Sequence, residues 1–164
     1  MRLTRSCVVA LALLAAAGRA HAQTTETKKT ITLEGAKIVA AAASAEAKKG
    51  NEGASIAVVD DGGNLVYLER LQPTFPMGAT ISTEKAQTAA LFQKPTKILE
   101  DAIVNGRTPL LNAWSAPLNG GEPILVAGKI VGAIGVSGAS SAARDAVIAL
   151  AGAQALSGKI SAAR

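Results

Sequence analysis

The chain of 164 residues has one cysteine, Cys7, and one histidine, His21. Both fall in an N-terminal segment built like a secretory signal. Arg2 and Arg5 form a positive start, an apolar run extends from about Cys7 to Ala17, and Ala20-His21-Ala22 supplies a small-residue cleavage site. Cleavage is expected after Ala22, starting the mature protein at Gln23. Cys7 opens the apolar run, whereas an acylated lipoprotein cysteine would close it. The run is about half of the ~20 residues that cross a bilayer, and no second long apolar stretch follows, so no membrane span is expected.

Loss of this segment removes every thiol and imidazole. A disulfide staple is excluded in the exported protein, which must stand on packing alone. A Ser-His-Asp triad cannot be assembled. The preferred ligands of zinc and copper are gone, and no metal site is assigned. Aromatic residues make up only 2 % of the chain, and the basic residues are scattered. A nucleic-acid surface, which needs a basic stripe or stacking rings, therefore has no support. The formal charge of +5 counts Arg2, Arg5 and Arg19, and falls to about +2 without them.

About 142 residues remain, the size of one domain. The expected organisation is a signal over 1–22, a flexible leader over 23–31 and a single domain over 32–164. Thr32 can cap a helix over about 33–49, whose apolar positions keep a 3.6-residue period up to Gly50-Asn51. Ser55–Asp60 and Leu65–Arg70 read as strands joined by the turn residues Asp61-Gly62-Gly63-Asn64. After Pro73 and Pro76, a helix is predicted from Ser82 or Thr83 to the break at Pro95, and a short one over about Lys97–Asn105. Residues 106–121 read as a long loop with a short strand around Trp114. Ile124–Ala127 and Ile130–Ser137 form a second hairpin about Gly128-Lys129, and a last helix covers about Ser140–Leu156. The sum is an α+β fold, an antiparallel sheet with helices packed on it in helix-hairpin-helix-hairpin-helix order.

Several motifs fail on spacing. Gly132, Gly135 and Gly138 match neither a dinucleotide loop nor a P-loop, and fit close helix packing across a strand. Gly135-Val136-Ser137-Gly138 is not a nucleophile elbow. Ser82 and Lys85 lie one helical turn apart, a formal Ser-Lys pair that arises often by chance. Asp60 and Asp61, followed by Gly-Gly-Asn, serve a hairpin turn more simply than a hard cation.

Three stretches together resemble the GlcG/HbpS family. They are the hairpin Ser55–Val66, the helix Ser82–Phe92 with Pro95-Thr96, and Gly120-Gly121-Glu122-Pro123-Ile124 leading to Gly132–Gly138. The resemblance implies a central sheet of about five strands and assembly into homo-oligomers. It also implies binding of a small ligand, haem or a related tetrapyrrole, for sequestration, transport or redox sensing, while the N-terminal signal points to the bacterial periplasm or medium. Carried over residue by residue, it makes Lys85, Thr88, Phe92 and Thr96 ligand-binding candidates, with Glu84 and Arg70 as nearby charged groups. No catalytic residue is assigned. With no mature histidine, a haem iron would need Met77, Tyr67 or a lysine such as Lys85 as its axial ligand. The alternative is an enzyme or enzyme accessory acting on a small acid or carbonyl metabolite, with Lys85, Glu84 and Arg70 as its acid-base or anion-binding groups.

Overall fold

The computed structural model describes residues 26–113 and 116–157. The first helix, α1 (Leu33–Lys49), starts where the Thr32 hydroxyl accepts the Gly35 N–H, and it ends at Gly50. Strands β1 (Ala54–Asp60) and β2 (Leu65–Leu71) follow as a hairpin. Asp60 Oδ1 accepts the N–H groups of Gly62 and Asn64, both at 2.8 Å, so its carboxylate shapes the turn. Next come α2 (Gly78–Phe92), α3 (Thr96–Val104) and a 3₁₀ segment at Thr108–Asn112. Strands β3 (Gly121–Val126) and β4 (Lys129–Ser137) form the second hairpin. The last helix, α4 (Ala142–Gln154), is capped by Ser141, whose hydroxyl accepts the Arg144 N–H.

All strand pairs are antiparallel, in the order β2-β1-β4-β3. Because successive side chains point to opposite faces, the sheet has two unlike surfaces. One carries Ile56, Val58, Ile124, Ile134 and Val136 against α1 and α4, which contribute Val39, Ala43 and Ile148. The other is lined with Ala57, Val59 and Ala133, and receives Ala86, Ala89 and Ala90 of α2. Small residues on both sides let α2 lie close to the sheet. A side chain at Gly135 would put its Cβ 2.0 Å from the Ser82 carbonyl oxygen. The glycines of β4 therefore serve packing.

Four details depart from the pattern expected from sequence. The sheet has four strands among the described residues, where the resemblance implied about five. The strand expected around Trp114 falls on residues 114 and 115, outside the described residues, as do the signal segment and its cleavage site. The short helix expected over about Lys97–Asn105 is present as α3, so with the 3₁₀ turn more than one helical element separates the hairpins and the five-element order is too simple. α2 begins at Gly78, four residues before Ser82, because its start has no side-chain cap to mark it in sequence. The second hairpin turns at Ala127-Gly128, both with positive φ, and Lys129 already belongs to β4. No helix among the described residues is long and apolar enough to cross a membrane.

Candidate functional site

Helix α2 divides the candidate residues between its two sides. Lys85 and Thr88 point inward and are buried. The Lys85 ammonium donates to the Val136 carbonyl at 2.9 Å and to Asp145 Oδ2 at 3.0 Å. Asp145 belongs to α4, on the other face of the sheet, so the lysine reaches past the sheet's end to join the two helical layers. Gly120 keeps this passage open: a Cβ there would lie 3.1 Å from Lys85 Nζ and 2.9 Å from the Asp145 Cβ. Asp145 Oδ1 also accepts the Ala139 N–H. The pair thus ties α2, β4 and the start of α4 in one buried knot.

The two threonines are likewise occupied. Thr88 donates to the Glu84 carbonyl within its own helix. Thr96, at the start of α3, accepts the Gly121 N–H at 2.9 Å and so fixes β3 against the helix pair. Phe92 is half-buried at the end of α2. Ser82 donates to the Ala79 carbonyl, one turn back along the helix, so its hydroxyl is not engaged with Lys85.

Glu84 follows the opposite side of α2. With Thr80, Thr83 and Gln87 it forms one wall of an open groove of ≈ 420 Å³, whose far wall is Leu68 of the edge strand β2. Arg70, two residues beyond Leu68 on the same strand face, is exposed. Met77 immediately precedes α2, one helical turn before Thr80, and its side chain is 56 % exposed. Thr83 donates to the Ala79 carbonyl and Gln87 to the Gly63 carbonyl. Glu84 has no hydrogen-bond or ion-pair partner among the described residues, which leaves its carboxylate to the groove.

Glu84 thus lines the groove, with Met77 one helical turn before its lining and Arg70 two strand residues beyond it, whereas Lys85, Thr88 and Thr96 are engaged inside the fold. Tyr67 lies elsewhere: its ring packs on the core between the sheet and helices α1 and α4, the face of β2 opposite Leu68. Met77 and Tyr67 of one chain cannot meet at one iron. Nor are Lys85, Glu84 and Arg70 brought together, since consecutive helix positions diverge by about 100°. No group of three or more His, Cys, Asp or Glu residues suited to a metal occurs among the described residues.

Two residues to which the sequence assigned no site role emerge here. Asp145 looks like an ordinary acid in the first turn of a helix, favoured by the helix dipole, and nothing local marks it as the partner of Lys85. Glu122 stood in the sequence only as part of Gly120–Ile124, ahead of the strand expected from Ile124. It is half-buried on β3, at the opposite edge of the sheet from the groove, and burial pushes its carboxyl up to about 7.

Comparison with known proteins places these features in a lineage. Residues 31–154 match the family described as haem degrading protein HbpS-like. Protein GlcG of Escherichia coli strain K12 is 45 % identical over 113 residues, covering 68 % of this chain and 84 % of GlcG. A double mutant of Streptomyces reticuli HbpS superposes with a TM-score of 0.74 at 34 % identity, over 80 % of this chain and 90 % of HbpS. The crystal structure of a PduOC:heme complex shares the fold with a TM-score of 0.68 at 21 % identity, over 77 % of this chain and 94 % of PduOC.

Proposed function

The chain belongs to the HbpS-like family, and from that footing we propose that it is a secreted, homo-oligomeric protein that binds haem or a related tetrapyrrole. The groove between α2 and β2 is the site this reading assigns. The observation that carries it is the position of Met77. It is the one methionine among the described residues, its thioether stands exposed at the head of α2, and the groove begins one turn further on. A thioether is an established iron ligand in haem proteins.

The remaining residues fit a flat, mostly apolar ligand with acidic substituents. Leu68 and the Ala79 methyl group supply apolar contact, and Arg70 supplies a guanidinium suited to a propionate. Glu84 would disfavour a second carboxylate on its side and so orient the ligand. Lys85, Thr88, Phe92 and Thr96 support the site by holding α2 and α3 on the sheet. Haem, when bound, supplies a redox-active iron suited to sequestration, transport or redox sensing. Oligomerisation is supported by Leu65, Leu68 and Leu91, all large apolar side chains left exposed beside the groove. A second copy lying on them would also close the groove's open side.

Hemin titration of the mature protein without a histidine tag tests this reading. A Soret band should develop and saturate at a fixed stoichiometry, and Met77→Ala should shift the band and weaken binding. Absence of a saturable band from the wild-type protein overturns the haem assignment. An unchanged spectrum in Met77→Ala removes Met77 as the iron ligand.

A further inference from the structure

The cavity beside Glu122 is separate from the haem groove, since β3 and β2 are opposite edges of the sheet. It holds ≈ 340 Å³ between the unpaired edge of β3 and α4, with Leu125, Ile130, Leu150 and Ala153 as apolar walls and Gln93 and Gln154 as amides. The Glu122 carboxyl opens into it with no hydrogen-bond or ion-pair partner among the described residues. Among the described residues, all the other groups lining the cavity are uncharged. Strand β4 offers Ile134 in register and Ile130, helix α4 offers Leu150 and Gln154, and the end of α2 offers Gln93 with Pro95 beyond it. The cations nearest in sequence to this lining, Lys94 and Lys129, make no ion pair with Glu122.

A carboxylate in apolar surroundings is costly unless a counter-charge reaches it. Desolvation is accordingly the cause that pushes the Glu122 carboxyl up to about 7. The cavity has the proportions of a small-molecule site, with mostly apolar walls and a few convergent polar groups.

We propose that this cavity binds a small organic cation, a primary ammonium on an apolar body of about six carbons. The ammonium pairs with the Glu122 carboxylate, and its other N–H groups donate to the Gln93 and Gln154 side-chain carbonyls. The alkyl body lies on Leu125, Ile130 and Leu150. Anionic ligands are repelled by the carboxylate, and a neutral alcohol of equal length gains only the apolar contact.

Binding then depends on pH in a defined way. Below about pH 7 Glu122 is mostly protonated and offers no charge; above it the carboxylate forms, while an alkylammonium stays protonated as a lysine does. The probe is n-hexylammonium chloride, followed by amide chemical shifts of the mature wild-type protein from pH 5.5 to 8.5. n-Hexanol and hexanoate serve as controls. Hexylammonium should perturb Glu122, Gln93 and Gln154, with affinity rising about tenfold or more across the range. Glu122→Gln keeps the side-chain size, and should lower affinity about tenfold at the high end and flatten the pH profile. Equal binding of hexanol and hexylammonium, unchanged binding in Glu122→Gln, or no perturbation around the cavity each overturns the proposal.

Discussion

Lys85 Nζ stands 3.0 Å from Asp145 Oδ2, in a buried pair that joins helices packed on opposite faces of one sheet. The lysine is 3 % exposed and the aspartate 5 %, so neither charge has water to fall back on. This contact gives α2, a helix held otherwise by alanines, a polar anchor at one end of the sheet.

Removing one partner should therefore cost far more than removing both. Lys85→Met or Asp145→Leu alone is expected to destabilise the fold by about 3–5 kcal/mol, because each leaves an uncompensated buried charge. The double variant should recover much of that loss. Urea unfolding of the three variants checks this, and equal single and double losses would show that shape, not charge, holds the site.

Close packing of α2 makes a second prediction. Gly135→Ala would force a Cβ to within 2.0 Å of the Ser82 carbonyl, which belongs to backbone and cannot swing aside. A loss of about 3 kcal/mol or more is expected. Gly106→Ala meets open space and bears only the strain of φ +96°, a cost of about 1 kcal/mol. Thermal melts of both variants should separate the steric from the conformational penalty.

Glu122 should leave a mark on stability as a function of pH. Its folded carboxyl titrates near 7 and its unfolded one near the ordinary 4.5, so between those values the folded state binds more protons. Stability must then fall as pH rises from about 4.5 to about 7, and level off above. Subtracting the Glu122→Gln profile isolates this contribution, and a difference with no slope in that window would remove the shift.

Export predicts a defined N-terminus. The protein recovered from the periplasm or medium should begin at Gln23, and its intact mass should lack residues 1–22. A full-length mass in that fraction would contradict cleavage after Ala22.

Local pattern carried much of the architecture into view. Thr32 and Gly50 bracket α1, Asp60 and Asn64 close the first hairpin, and the β-branched, apolar run in Ser55–Asp60 marks a strand. Elements without a local signal were harder to place. The start of α2 has no cap, and the second turn puts Ala127, a residue with no special turn preference, at φ +51°. The site was legible in part. Met77, Glu84 and Arg70 were each visible as residue types, yet the groove that Glu84 lines exists only because α2 lies across β2.

The sequence by itself settled that the chain's one thiol and one imidazole lie at Cys7 and His21, that the fold is α+β with an antiparallel sheet, and that the chain belongs to the HbpS-like family. These follow from composition and short-range pattern, which folding does not alter. Where each charge is used follows from the folded arrangement alone. Lys85 turns inward to Asp145, sixty residues away along the chain, while its neighbour Glu84 faces an open groove. Glu122 is left without a partner among the described residues, at the far edge of the sheet. The physical reason is that pairing and desolvation depend on distance in space, which sequence separation does not report.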